Sequence, residues 1–399
     1  MRFAGIDIGS ETHVVAVVDE AGAVLHKAAP FGEEAAGYRR LREILGTSDD
    51  LVVAMEATGH YWRNLGAMLI AHGYAVALIN PLRTRRFAEE DLARTKTDAI
   101  DALGIARFAA QKRPAMTDFC DDEIQQLREL VRLRERLLVE QGNQIRHLHR
   151  SLHLTFPEFT RHVRTLESAL ATAILSRYPT SEAFRTVRLK TLARLCYDGR
   201  HRVGESLAGT LIAAAKHSIG GHHTEPYRRQ IKFACQDIEI ARERIRQLEN
   251  DIGLKLERHE VGKLLTSIDG IGSQTAARLI AELGDPARFR SAAALASYVG
   301  VIPRVRQSGK RRYSGRPSVP LGNAALRHSL WMPTLTAVRL SPWLRPYYLR
   351  LRRAGKRPKV ALVAAMHKLL LAVWSVAKHR RPFVSRTSPP TDGVAIGPV

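Results

Sequence analysis

Carboxylates all but disappear from the last quarter of this 399-residue chain. Between residues 301 and 399 Asp392 is the only acidic side chain, while Lys and Arg recur throughout. A region so short of counter-charge suits phosphates. The bias extends to the whole chain, where 62 Lys and Arg stand against 39 Asp and Glu, for a net charge of +23. Charge of that size argues for a polyanionic partner and says nothing about fold.

Cysteine is equally scarce. Cys120, Cys196 and Cys235 lie far apart, with no CxxC pair and no His/Cys cluster. That spacing excludes a zinc ribbon and a disulfide framework, and it fits a reducing cytoplasm. No leader-like segment precedes the first apolar stretch. The longest apolar run, VALVAAMHKLLLAVWSVAK, is broken at its centre by His367 and Lys368. It reads as a buried or groove-facing helix, not a membrane span. No internal repeat is evident.

What is present is ample core. Hydrophobic residues make up 45% of the chain, enough for two or three domains. Residues 3–18 and 22–29 read as two β-strands joined at Glu20-Ala21-Gly22. A helix is expected near 33–46, a buried strand at 51–57, a helix at 61–72 and a strand at 74–80, stopped by Pro81. Residues 84–111 read as mostly helical. Strands alternating with helices imply an α/β sheet with helices packed on it. From Asp121 the pattern changes to long charged amphipathic helices, one from 121 and one over 227–260. They can pair within one chain or between chains. Shorter helices fill 151–222, with breaks at Pro157, Pro179 and Gly220-Gly221, and no chemistry is legible there. Further helices run to about 380. The end, SPPTDGVAIGPV, reads as a disordered tail.

Four carboxylates stand out by context. Asp7 sits inside the first strand, and Glu56 ends the buried strand VVAMEATG. Asp98 and Asp101, in RTKTDAIDALG, are three apart on a helix and face the same way. Asp98 alone can be a helix cap and Glu56 alone a turn cap. Taken together, buried carboxylates repel and are costly to desolvate unless a shared cation relieves them. Hard oxygen ligands suit Mg²⁺ or Mn²⁺, and two such ions serve phosphoryl transfer. The stretch GIDIGSET also resembles the first phosphate loop of actin-like and sugar-kinase folds. The second Asp-x-Gly loop that fold needs is missing: the nearest candidate, SIDGIGSQT, lies between helices. This argues against ATP.

Two features lie further on. DGIGSQTAA, with Gly270, Gly272 and Ser273, reads as a helix-hairpin-helix whose amides can hold a nucleic-acid phosphate. A plain interhelical turn would look the same. The basic loop PRVRQSGKRRYSGRPS holds Ser308 among Arg304, Arg306, Lys310, Arg311 and Arg312. Cations there can stabilise a serine alkoxide and the phosphate it attacks. Ser314 and Ser318 are rivals, and a simple phosphate contact is the plainer reading of such a loop.

The motifs GIDIGSETH, MEATGHYW, INP, KTDAIDA, IDGIGSQTAA, RQSGK and LRHSLWMPTL, in that order, resemble the DEDD transposases of bacterial insertion sequences. This is the "one-ten" family, with the related Piv-like DNA invertases. The resemblance covers nearly the whole chain. It implies a RuvC/RNase H-like domain over 1–118, a helical coiled-coil region over 119–262, a mainly helical transposase domain over 263–385 and a tail over 386–399. It implies that Asp7, Glu56, Asp98 and Asp101 bind two Mg²⁺ ions, with Mn²⁺ as the alternative, and that Ser308 forms a covalent serine–DNA intermediate. It further implies a composite site with acids from one subunit and serine from another, a homodimer that assembles into a dimer of dimers, and no membrane. Implied partners are donor and target DNA and a structured bridge RNA, in the bacterial cytoplasm at the nucleoid. Two departures stand out. Residues 151–222 are longer than in compact members, and SGKRRYSG lacks a second Gly after Gly309, which keeps Ser314 open. The rival readings are a RuvC-like junction nuclease that uses water, a non-catalytic nucleic-acid-binding protein, and the ATP fold.

Overall fold

Short β-branched runs punctuated by glycine build the first part of the chain. The computed structural model describes residues 1–57, 59–90, 97–117, 122–302, 305–308, 311–314 and 322–385. Two compact units divide it, Met1–Phe119 and Cys120–Val399.

In the first unit, β1 (Arg2–Ile8), β2 (Thr12–Val18) and β3 (Val24–Gly32) form an antiparallel meander. Residues 3–18, expected as one strand, are therefore two. The break falls at Gly9, where a Cβ would lie 2.3 Å from the Thr12 carbonyl oxygen, so only glycine fits the turn. The chain then crosses through α1 (Ala35–Leu45) to β4 (Leu51–Glu56), and through α2 (Trp62–Ala71) to β5 (Ala75–Ile79). Both crossovers make parallel pairs, and the sheet order is β3-β2-β1-β4-β5. Pro81 ends β5 as expected and also opens α3 (Pro81–Glu90); a missing N–H is harmless in a first helical turn. α4 (Asp98–Lys112) follows. Residues 91–96, expected as part of a mostly helical segment, lie outside the described residues.

Both faces of the sheet are covered, which is why the central strands read as unbroken apolar runs. Ala4, Ile6, Val53 and Met55 pack on Leu41 and Leu45 of α1 and Leu65 and Leu69 of α2. On the opposite face Phe3, Val52, Ala54 and Ala77 pack on Phe87 of α3 and Ile105, Ala106 and Phe108 of α4. Strand alternation sorts these residues between the faces.

The second unit is organised by two 34-residue helices, α5 (Asp122–Thr155) and, later in the chain, α11 (Glu225–Arg258). Each is about 50 Å long. They pair with each other within one chain. Leu127 and Val131 meet Ile252 and Leu256 near one end. Leu148 and Leu152 meet Ile231, Cys235 and Ile238 near the other. Arg134 donates to Glu249 across the pair. Between the long helices come α6 (Phe159–His162), α7 (Ala169–Arg177), α8 (Ser181–Thr186), α9 (Leu189–Ala193) and α10 (Glu205–Lys216). They enclose a core of their own around the fully buried rings of Phe156, Phe159 and Phe184.

After α11 come α12 (Glu260–Leu265), α13 (Ser273–Leu283), α14 (Ala292–Val299), the strands β6 (Val305–Ser308) and β7 (Arg311–Ser314), α15 (Ala324–Leu340), α16 (Leu344–Arg353) and α17 (Pro358–His379). α17 holds the long apolar run and is the one described helix long and apolar enough to cross a membrane. It is a core helix here: Leu362, Met366, Leu369 and Val373 are buried with Leu295, Leu330 and Leu344. Residues 386–399, expected as a tail, lie outside the described residues.

Candidate functional site

The expected acids collect at one end of the first unit. In the parallel β1–β4 ladder Ile6 pairs with Met55. One step further along stand Asp7 and Glu56, on neighbouring strands about 4.8 Å apart. Alternation turns both toward the face that carries Phe3, Gly5, Val52 and Ala54, which α4 covers. Gly5 makes this cover close. A Cβ on it would fall 2.2 Å from both the Ala102 carbonyl oxygen and the Ala106 nitrogen. The backbone of α4 therefore rests directly on β1, two residues before Asp7. Toward its other end α4 passes the start of β1, where the Arg113 guanidinium lies 5.5 Å from the Phe3 ring centre. The helix thus runs against the direction of β1, and its first turn, with Asp98 and Asp101, lies at the Asp7 end.

Each acid has a local setting. Thr97 caps α4, its hydroxyl accepting from the Ile100 amide at 3.3 Å. Acids in a first turn complement the helix dipole, so Asp98 and Asp101 have a structural role whatever else they do. Asp98 is exposed and Asp101 half-buried. Asp7 is half-buried, and both it and Asp101 are engaged by neighbouring groups. Glu56 accepts a hydrogen bond from the Thr84 hydroxyl of α3 at 2.5 Å. As these side chains stand, no group of three His, Cys, Asp or Glu among the described residues is gathered closely enough to hold a metal ion. The backbone brings four hard oxygen donors to one end of the unit, a donor set that suits Mg²⁺ or Mn²⁺.

The same end of the sheet holds a polar cluster that the sequence did not announce, on the opposite face. His13 of β2 is 1% exposed, and its Nε2 lies 2.7 Å from Glu33 Oε2. Asn64 of α2 donates to Glu33 Oε1 at 3.1 Å. Burial opposes the charge on Glu33, but the nearby Tyr38 hydroxyl, together with the hydrogen bonds from His13 and Asn64, outweighs it and holds the carboxyl below its usual range. Burial, and then Glu33 itself, push the Tyr38 hydroxyl up. The available signal was a histidine at an inward position of an alternating strand.

In the second unit the expected basic loop contains a two-stranded antiparallel ribbon, β6 and β7. Val305 pairs with Ser314, Arg306 with Tyr313, Gln307 with Arg312, and Ser308 with Arg311. Ser308 thus ends β6 beside the turn, and Ser314 ends β7 at the base of the ribbon. They stand about 10 Å apart along it, at the usual rise per residue. The alternation that makes a strand was masked in the sequence by the run of cations. Arg304, Lys310 and Ser318 lie outside the described residues.

The glycine hairpin is divided in role. Gly270 has φ +90°, and a Cβ there would lie 2.6 Å from the Pro333 carbonyl oxygen of α15. Its work is packing and turning. Gly272 has nothing within 4 Å of its added Cβ. It stands exposed at the start of α13, with Ser273 exposed beside it, and the first amides of a helix have no acceptor within it. Asp269 accepts from the Ser341 hydroxyl at 3.0 Å and so ties the turn to the end of α15.

Two family models and several relatives match this chain. A family model of DEDD, IS110-type transposases matches residues 4–157, which include all four acids. A second, described as "Transposase IS116/IS110/IS902 family", matches residues 262–349, which include the glycine hairpin and the serine ribbon. The chain is 27% identical to the "Insertion element IS110 uncharacterized 43.6 kDa protein" of Streptomyces coelicolor over 398 residues, 96% of each chain. It is 26% identical to the pilin gene-inverting protein of Moraxella bovis over 344 residues, 84% of this chain and 83% of that one. It is also 26% identical to the "Insertion element IS900 uncharacterized 42 kDa protein" of Mycobacterium paratuberculosis, over 94% of this chain and 95% of that one.

Proposed function

The chain belongs to the IS110 family of insertion-element transposases, and on that footing we propose that it cuts and rejoins DNA with a metal-bound acid site and a serine nucleophile. The observation that carries the reading is the rank of Asp7 and Glu56 on adjacent parallel strands, at the end of the sheet where α4 begins with Asp98 and Asp101. The sheet order β3-β2-β1-β4-β5, three antiparallel strands followed by two parallel ones, supports a RuvC/RNase H-like fold for the first unit.

In this reading Asp7, Glu56, Asp98 and Asp101 hold two Mg²⁺ ions, or Mn²⁺ in their place. When bound, such ions supply Lewis-acid stabilisation of the phosphate under attack. Thr84 fixes one oxygen of Glu56 and leaves the other for binding. The Ser308 oxygen attacks the scissile phosphorus and loses its proton. A serine–phosphate bond forms, and the bond to the 3′ oxygen breaks, leaving a 3′-OH. A 3′-OH of the exchanged strand then attacks the phosphoserine, remakes the phosphodiester and restores the serine. The cations of this basic stretch of sequence, Arg304, Arg306, Lys310, Arg311 and Arg312, balance the charge that develops. Gly272 and Ser273 at the start of α13, with Gly270 shaping the turn, hold a phosphate and position the strand.

The partners are donor and target DNA, with a structured bridge RNA choosing the sites. The working particle is a homodimer that assembles into a dimer of dimers, with acids of one subunit and serine of another. It acts in the bacterial cytoplasm on nucleoid DNA.

The test uses full-length protein, RNA from the flanks of its element, a labelled DNA junction and Mg²⁺. Denaturing gels should show a protein–DNA adduct that is lost in Asp7→Asn and in Ser308→Ala. Cleavage without an adduct, intact in Ser308→Ala, would instead make the protein a nuclease that uses water.

A further inference from the structure

The helical region between the two long helices carries a cationic cavity. It measures about 410 Å³ and is lined by Arg177, Lys190, Thr191, Arg194, Leu195 and Cys196. No carboxylate is among them. Among the described residues Arg177, Lys190 and Arg194 form no ion pair, whereas several arginines of α11 do: Arg228 pairs with Glu182, Arg229 with Glu225 and Arg246 with Glu243. Three unpaired cations around one space repel each other and favour an anion between them.

The walls are built before any ligand arrives. Arg177 closes α7, whose Ile174 and Leu175 lie in the aromatic core. Lys190 and Thr191 belong to α9, anchored by buried Leu192 and Ala193. Past α9 the chain doubles back. Cys196 bridges to Arg202, Val203 donates to the Leu195 carbonyl at 3.0 Å, and Gly204 donates to the Ala193 carbonyl at 3.0 Å. Between residues 188 and 202 Asp198 is the only carboxylate. It is turned inward on its own loop, accepting from the Arg200 and His201 amides and pairing with the His201 ring. Those contacts, led by the His201 amide, hold its carboxyl down at about 2, so its charge is committed to the turn. Arg188, Arg200 and Arg202 are exposed and continue the positive surface beyond the cavity.

We propose that this cavity and its cationic margin bind the phosphodiester backbone of a nucleic acid. Guanidinium forks and an ammonium match phosphate oxygens, the Thr191 hydroxyl adds a donor, and the extension past the cavity suits a polymer better than one free ion. The inference uses neither the acid end of the sheet nor the serine ribbon, and it assigns a role to a region in which the sequence shows no chemistry.

Cys196 provides a local reporter. It is exposed, while Cys235 is buried, with burial pushing its thiol up to about 12. Full-length protein is alkylated with iodoacetamide, and Cys196 modification is followed by peptide mass spectrometry. The arms are no ligand, duplex DNA, a hairpin RNA of equal phosphate content, and inorganic phosphate at the same phosphate concentration. The expected result is that a polynucleotide slows Cys196 labelling severalfold and inorganic phosphate does not; the stronger polynucleotide identifies the strand type. In parallel, a triple variant, Arg177→Gln with Lys190→Gln and Arg194→Gln, is titrated against salt. Its affinity should fall about tenfold, and its log K against log salt slope should be shallower by about two to three. Unfolding curves matching wild type show that these exposed changes leave the fold intact. Unchanged labelling with both polynucleotides, or an unchanged salt slope, would overturn the proposal. So would equal protection by inorganic phosphate, which would make this a small-anion site.

Discussion

Gly5 of β1 and Ala106 of α4 touch backbone to backbone: a Cβ on Gly5 would come within 2.2 Å of the Ala106 nitrogen. This contact sets the height of α4 above the sheet and so the reach of Asp98 and Asp101 toward Asp7. Gly5→Ala should lift the helix. We expect a loss of about 1–3 kcal/mol in stability, measured by denaturant unfolding, because a well-packed contact is being forced apart. DNA cleavage should fall by more than the loss of folded protein explains. Wild-type cleavage in a folded Gly5→Ala protein would separate the α4 contact from the site.

Glu33 predicts an acid limb in the stability curve. Its carboxyl is held below its ordinary value of 4.5 in the folded protein. The folded state therefore favours the charged form. The stability it contributes is complete above 4.5 and is lost as pH falls through the lower folded value. Glu33→Gln should remove that contribution and flatten the fall in melting temperature between pH 5 and pH 3, read by thermal unfolding across that window. An unaltered slope would mean that Glu33 titrates alike folded and unfolded.

Phe184 reports on the helical region. Its ring is fully buried, 5.1 Å from the Phe156 centre and 6.3 Å from that of Phe159. Phe184→Ala should cost about 3–5 kcal/mol locally. Because this core is separate from the one around α13 and α17, hydrogen exchange should speed up first in α7, α8 and α10. Uniform acceleration over the whole second unit would show one cooperative core in place of two.

The two serines of the ribbon are distinguishable by place. Ser308 ends β6 opposite Arg311, and Ser314 ends β7 opposite Val305. We expect Ser308→Ala to abolish the covalent protein–DNA adduct and Ser314→Ala to retain it within about twofold. The reverse result on the same denaturing gel would move the nucleophile to Ser314.

Much of this protein was readable before any coordinates. Local pattern placed β4, β5, α1 and α2 within a residue or two, because their periodicities are carried by neighbours in sequence. Asp7 and Glu56 stood out by their strand settings, Asp98 and Asp101 by their spacing on a helix, and motif order pointed to the family. Other features depended on residues far apart in the chain. That α5 pairs with α11 inside one chain follows from how the intervening helices fold back, which no heptad pattern encodes. The strand break at Gly9 rests on one carbonyl three residues away, and the approach of α4 to Gly5 on contacts about a hundred residues distant. The ribbon of β6 and β7 was hidden because a run of cations looks the same in a strand as in a loop. The grouping of Arg177, Lys190 and Arg194 around one cavity depends on a helix and a turn packed on a shared aromatic core. Composition and periodicity determine which segments are buried and which are charged. Only tertiary packing, where long-range contacts outweigh the entropy of closing the chain, decides which charges meet.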